Sequence, residues 1–148
     1  MAISPTSVET NKAAIRRLYD ETNKGNLDFM NEILAPDFTS YGGAGFQDLH
    51  GPGEFIELTR TFLKSLPDLW FQIDELIGEG DDILVSGTLS GTHKGEWYGI
   101  PPTNKKITWT GCAIFRFRGD QIIARWQEFD ALAIMAQMQP PAAAAPSA

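Results

Sequence analysis

The hydrophobic spacing of this chain changes once, near residue 68, and that change decides the fold class. Upstream, apolar residues recur at helical intervals. Val8, Ile15, Leu18 and Tyr19, with Thr22, make one face of a first helix. Thr6 or Ser7 can cap it, Thr6 and Glu9 have capping-box spacing, and Gly25 is placed to stop it. Asn26 opens a short second helix with Leu27, Met30, Ile33 and Leu34 inward, which Pro36 ends. A short strand at 38–41 and a glycine-rich loop lead to a third helix. It begins near Pro52, buries Phe55, Leu58, Phe62 and Leu63, and stops at Pro67. Downstream the spacing becomes two. Residues 69–77, 83–93, 107–118 and 121–130 read as strands, with Gly119-Asp120 as a hairpin turn and 131–138 as a last helical turn or two. Helices followed by an antiparallel meander predict an α+β fold. The helices cover one face of a strongly curved sheet, and the mouth of the resulting cone is a natural ligand pocket.

A chain of 148 residues fits one domain with a core of its own. That domain is expected to span residues 1–138, and the Pro/Ala-rich residues 139–148 to form a flexible tail. The net charge of −7 and the absence of a basic run argue against a nucleic-acid partner. The single cysteine, Cys112, excludes an intramolecular disulfide and a multi-cysteine zinc site. No apolar run approaches the roughly 18 residues of a membrane span, and the first residues lack a signal-peptide pattern. A soluble cytoplasmic protein without a membrane partner is expected.

Strand alternation selects candidate site residues. With the turn centred on Gly119-Asp120, Phe117, Phe115, Ala113, Gly111 and Trp109 share a face with Ile122, Ala124, Trp126, Glu128 and Asp130. That apolar face should meet the helices. Cys112, Ile114, Arg116, Arg118, Ile123, Arg125, Gln127 and Phe129 fall on the other face, where the apolar members suggest a homodimer surface with an arginine rim. Glu128 and Asp130 would then lie among apolar walls beside the small residues Gly111 and Ala113. Burial of that kind disfavours the charged form of a carboxylate and suits it to proton transfer at carbon next to a carbonyl. A strand end in water, or Asp130 capping the last helix, is the plainer alternative.

His93 ends its strand on the apolar parity, and His50 precedes the third helix. Neither has metal-ligand spacing. Each is either a structural histidine or a donor to a substrate carbonyl at the pocket mouth. Trp109 and Trp126 are the foremost aromatic pocket candidates among the four tryptophans at 70, 97, 109 and 126. The sequence carries no nucleophile elbow, phosphate loop or dinucleotide fingerprint, so no cofactor is expected.

Several segments together resemble the SnoaL-like polyketide cyclases, also called ester cyclases. They are Gly91-Thr92-His93 with Gly95, Gly99-Ile100-Pro101-Pro102-Thr103, Ala113-Ile114-Phe115-Arg116-Phe117, and Gln121 to Asp130 with its Trp126 and terminal aspartate. Pro67-Asp68-Leu69 and Arg17-Leu18-Tyr19 fit as well. The resemblance implies the cone-shaped α+β barrel of nuclear transport factor 2, usually dimeric. It also implies a cofactor-independent intramolecular aldol cyclisation of an aromatic polyketide ester, with Asp130 by motif position as acid/base. Three positions depart from the pattern: Asn104 stands for a glycine, Ser86 for a common arginine, and Ala124-Arg125 for an acidic pair.

The expected protein is therefore a SnoaL-like acid/base enzyme acting on a small hydrophobic substrate. Asp130 is its proposed general acid/base, and His93 and His50 orient the substrate. Tyr41, Trp70, Trp97, Trp109, Trp126 and Glu128 line the pocket. An isomerase or epoxide hydrolase on the same fold, or a non-catalytic ligand-binding or dimerisation module, are the rivals.

Overall fold

The computed structural model describes residues 5–42 and 46–139. Helix α1 (Pro5–Asn23) is followed by a five-residue α2 (Phe29–Ile33), strand β1 (Leu34–Tyr41), the two-residue β2 (Leu49–His50) and α3 (Gly51–Ser65). Then come β3 (Trp70–Glu79), β4 (Asp82–Thr92), β5 (Lys106–Arg118), β6 (Gln121–Phe129) and α4 (Ala131–Met138). The order across the sheet is β2-β1-β6-β5-β4-β3, antiparallel throughout except for the parallel β1–β6 pair. The fold is α+β as expected, but the sheet stays open, with β2 and β3 at its edges, so the barrel implied by the resemblance does not close.

Two early boundaries differ from the sequence reading. The second helix stops at Ile33, and Leu34 already pairs with Ile122, so Pro36 lies inside β1 rather than ending a helix. Proline is tolerated there because the β1–β6 register breaks between Leu34 and Thr39, and no ladder N–H is demanded of it. The expected tail falls at 140–148, outside the described residues, apart from Gln139.

The β4–β5 hairpin follows simple alternation. Ile83, Val85, Gly87, Leu89 and Gly91 oppose Phe115, Ala113, Gly111, Trp109 and Ile107 on the inner face. The last hairpin does not. Phe117 opposes Ile122, but Arg116 opposes Ala124, leaving Ile123 as an extra residue on β6. Such a bulge reverses every later side chain. Arg125, Gln127 and Phe129 therefore face inward opposite Phe115, Ala113 and Gly111, and Trp126 and Glu128 face outward.

Two buried clusters fill the space beneath the helices. One joins Ile15, Leu18, Met30, Phe38, Phe115 and Ile122; the other joins Leu66, Leu69, Trp97, Trp109, Ile134 and Met138. Helix α4 holds the second in place. Its Gln137 side chain accepts from Thr108 N at 2.9 Å and donates to Thr108 O at 2.7 Å, pairing the stretch of β5 that outruns β6.

Candidate functional site

A cavity opens where the two clusters meet. Its internal space is about 100 Å³, and it widens through an open mouth. Helix α1 contributes Leu18, Tyr19 and Thr22, and α3 contributes Phe55, Leu58, Thr59 and Phe62. The sheet adds Ser40, Leu89, Trp109, Phe115, Arg125, Gln127 and Phe129. Its walls are therefore largely apolar and rich in aromatic rings. Thr22 and Thr59 spend their hydroxyls on their own helices, donating to Leu18 O at 2.7 Å and Phe55 O at 2.9 Å.

The polar corner is built by the bulge. Arg125 Nη1 donates to Ser40 Oγ at 3.1 Å across the β1–β6 pair, and Nη2 donates to Gln127 Oε1. The guanidinium lies 5.0 Å from the Phe55 ring centroid and 5.7 Å from that of Phe115, within cation–π range. Its Nε is buried without a partner. Burial pulls the Arg125 pKa below its ordinary value, with nearby Tyr19 opposing the shift. Burial likewise pushes the Tyr19 phenol up, and Arg125 opposes that. Because Gln127 commits its carbonyl to Arg125, its amide NH₂ remains as a donor. Among the described residues no carboxylate, imidazole, amine or thiol lines the cavity.

Of the residues selected from sequence, Tyr41 and Trp109 line this cavity. Trp126 and Glu128 do not, because the Ile123 bulge turns them to the outer face; Trp126 stacks there on Tyr41, ring centroids 5.2 Å apart. Asp130 is exposed and caps α4, its Oδ1 accepting from Ala133 N at 2.9 Å. The apolar surroundings expected for it are absent, and its placement follows the capping alternative. His93 is fully buried outside the lining. Its Nδ1 lies 3.0 Å from Thr103 Oγ1, and its backbone holds Lys105 O and Asn104 N at 2.9 Å, so it anchors the 94–105 loop. His50 is exposed at the N-terminus of α3, Trp70 is exposed on the edge strand β3, and Trp97 is buried in the second cluster. Arg125 and Gln127 were assigned to the wrong face by strict alternation. The signal for them is Phe129: counting back by twos from that apolar residue, instead of forward from the Gly119-Asp120 turn, brings both inward.

Residues 13–138 match the family model of the SnoaL-like polyketide cyclases. The chain belongs to that family. A curated relative, the aklanonic acid methyl ester cyclase AcmA of Streptomyces galilaeus, is 27% identical over 95 residues. That match covers 63% of this chain and 65% of the relative, so just under two thirds of AcmA is spanned. A solved structure of a candidate SnoaL-like polyketide cyclase from Jannaschia sp. CCS1 superposes with a TM-score of 0.85 at 26% identity, covering 95% of this chain and 99% of that one. AclR of Streptomyces galilaeus, described as a candidate hydroxylase, shares the fold with a TM-score of 0.80 at 21% identity, covering 88% and 96%. Among the described residues no helix is long and apolar enough to cross a membrane.

Proposed function

We propose that this family member is a cyclase that closes a ring by an intramolecular aldol step on a small aromatic or polyketide-like ester or ketone, without a cofactor. The observation that carries the reading is an apolar, aromatic-rich cavity with Arg125 and Gln127 among its few polar walls, in a chain of this family. The walls supply flat apolar surface for an aromatic body and hold a flexible chain folded, so that two carbonyl carbons meet. Gln127 and Tyr19 are the donors proposed for the carbonyl oxygen that becomes an enolate. By motif position alone Asp130 is the proposed proton acceptor and later donor, its side chain capping α4 outside the cavity lining. With Oδ1 engaged at Ala133 N, its Oδ2 serves that role.

The test is turnover of a panel of linear aromatic β-keto esters, followed by chromatography of the ring-closed product. Ring closure above the uncatalysed rate, lost when Gln127 is replaced by Leu, supports the reading. Binding without turnover of any member would favour a ligand-binding module.

A homodimer through the outer face of the sheet belongs to the same proposal. Trp70, Ile77 and Ile114 are exposed there, beside Cys112 and the Tyr41–Trp126 stack. Phe129, formerly counted with them, is turned inward by the bulge. Sedimentation at micromolar concentration is expected to give twice the chain mass of 16.3 kDa, and Ile114→Glu to give the monomer.

A further inference from the structure

Arg125 is a full charge held in an aromatic cavity with only neutral partners. Three of the other five arginines pair with carboxylates: Arg116 with Asp82, Arg118 with Asp37 and Arg60 with Glu57. Those pairs are on the surface, where pairing matters least. Arg125, where an uncompensated charge costs most, has a serine hydroxyl, an amide oxygen and two ring faces. No carboxylate lies within ion-pair distance of it among the described residues, and its Nε is left buried without an acceptor. A neutral carbonyl would not require this arrangement. Gln127 and Tyr19 already offer neutral donors.

We propose that the cavity takes an aromatic ligand bearing a free carboxylate, and that Arg125 is its counter-ion. This rests on the reading of the cavity as a small-molecule site and narrows its substrate class to those keto esters and ketones that also carry a free carboxylate. The ligand brings the negative charge that the protein omits, beside a guanidinium that belongs to the cavity lining. The aromatic body packs on Phe55, Phe115 and Trp109. Specificity is local, because a chain of net charge −7 repels anions everywhere else. Serine, glutamine and ring contacts hold the guanidinium in place before the ligand arrives, which reduces the ordering cost of binding.

The experiment compares 2-naphthoate with methyl 2-naphthoate by calorimetry on the whole protein at pH 7. The two share a body and differ in charge. Wild type is expected to bind the acid about tenfold to a hundredfold more tightly than the ester, the range of a charge-assisted buried pair. Arg125→Gln is expected to bring that ratio to about one, whatever change it makes in the affinity for the ester. Arg125→Lys, which keeps the charge without the planar fork, should keep part of the preference. The ratio should persist at 0.5 M salt, because a buried pair is poorly screened. A purely structural Arg125 would lower stability in these variants without moving the acid-to-ester ratio. Equal affinity of wild type for the two probes, or a ratio unchanged in Arg125→Gln, overturns the carboxylate assignment alone and leaves the cyclase reading standing. No binding of either probe overturns both.

Discussion

Asp130 shows how one side chain can carry two separable duties. Its Oδ1 caps α4 through Ala133 N, and its motif position makes it the proposed proton acceptor. Asparagine caps a helix about as well as aspartate, whereas alanine costs about 1 kcal/mol. Asp130→Asn is therefore expected to leave the urea midpoint nearly unchanged, and Asp130→Ala to lower stability by about 1 kcal/mol. If Asp130 moves the proton, both variants lose turnover by about 10²–10⁴-fold. Turnover that survives in the Asn variant would reduce Asp130 to its capping role. Asn104 is a second residue-scale case. It stands where the family pattern has glycine, and its φ of +58° explains the glycine: asparagine is among the few other residues that accept this left-handed backbone.

At the scale of elements, local pattern carried the reading far. The helical spacing of Phe55, Leu58 and Phe62 and the alternation from Ile83 to Gly91 put those side chains where the structure has them. The bulge was not legible in the same way. Ile122, Ile123 and Ala124 are all apolar, with no glycine to mark the inserted residue, so nothing local says which of them loses its partner. One unrecognised residue moved Arg125 and Gln127 out of the expected site and brought Glu128 and Trp126 into it. The sheet edge was also invisible to periodicity. Asn23, at the end of α1, donates from Nδ2 to Phe71 O at 2.9 Å and accepts Phe71 N at Oδ1 at 2.8 Å. Its amide thus stands in for a neighbouring strand on the edge strand β3. Asn23→Leu strands both backbone groups partly out of water, and a loss of about 2 kcal/mol is expected in chemical denaturation. A loss under about 0.5 kcal/mol would mean that water replaces the amide freely.

On the scale of the whole molecule, acid sensitivity is written into Glu21, lowered chiefly by its hydrogen bond from Asn26, and above all into three aspartates. Asp82 is held below the ordinary carboxylate range chiefly by its hydrogen bonds from Arg116, and Asp37 by those from Arg118. Asp68 is lowered first by Thr92 N at 2.6 Å, then by the Thr92 hydroxyl at 2.7 Å, a bond that fastens the entry to β3 onto the end of β4. In each case the folded state binds its proton only at a pH below that of the unfolded chain, which protonates near 3.9. Between those two values the unfolded chain binds more protons, so stability falls as pH falls. The contribution is fully present well above pH 4 and is lost as pH drops through the folded values. Urea midpoints should therefore be level from about pH 7 to 5 and decline steeply below about 4. The Asp37 pair is exposed and should weaken in 0.5 M salt, whereas the Asp68 bonds to Thr92 should not. The combined variant Asp37→Asn, Asp68→Asn, Asp82→Asn is expected to be less stable at neutral pH and to decline less steeply in acid. An acid limb of unchanged slope in that variant would shift the cause to carboxylates other than these three.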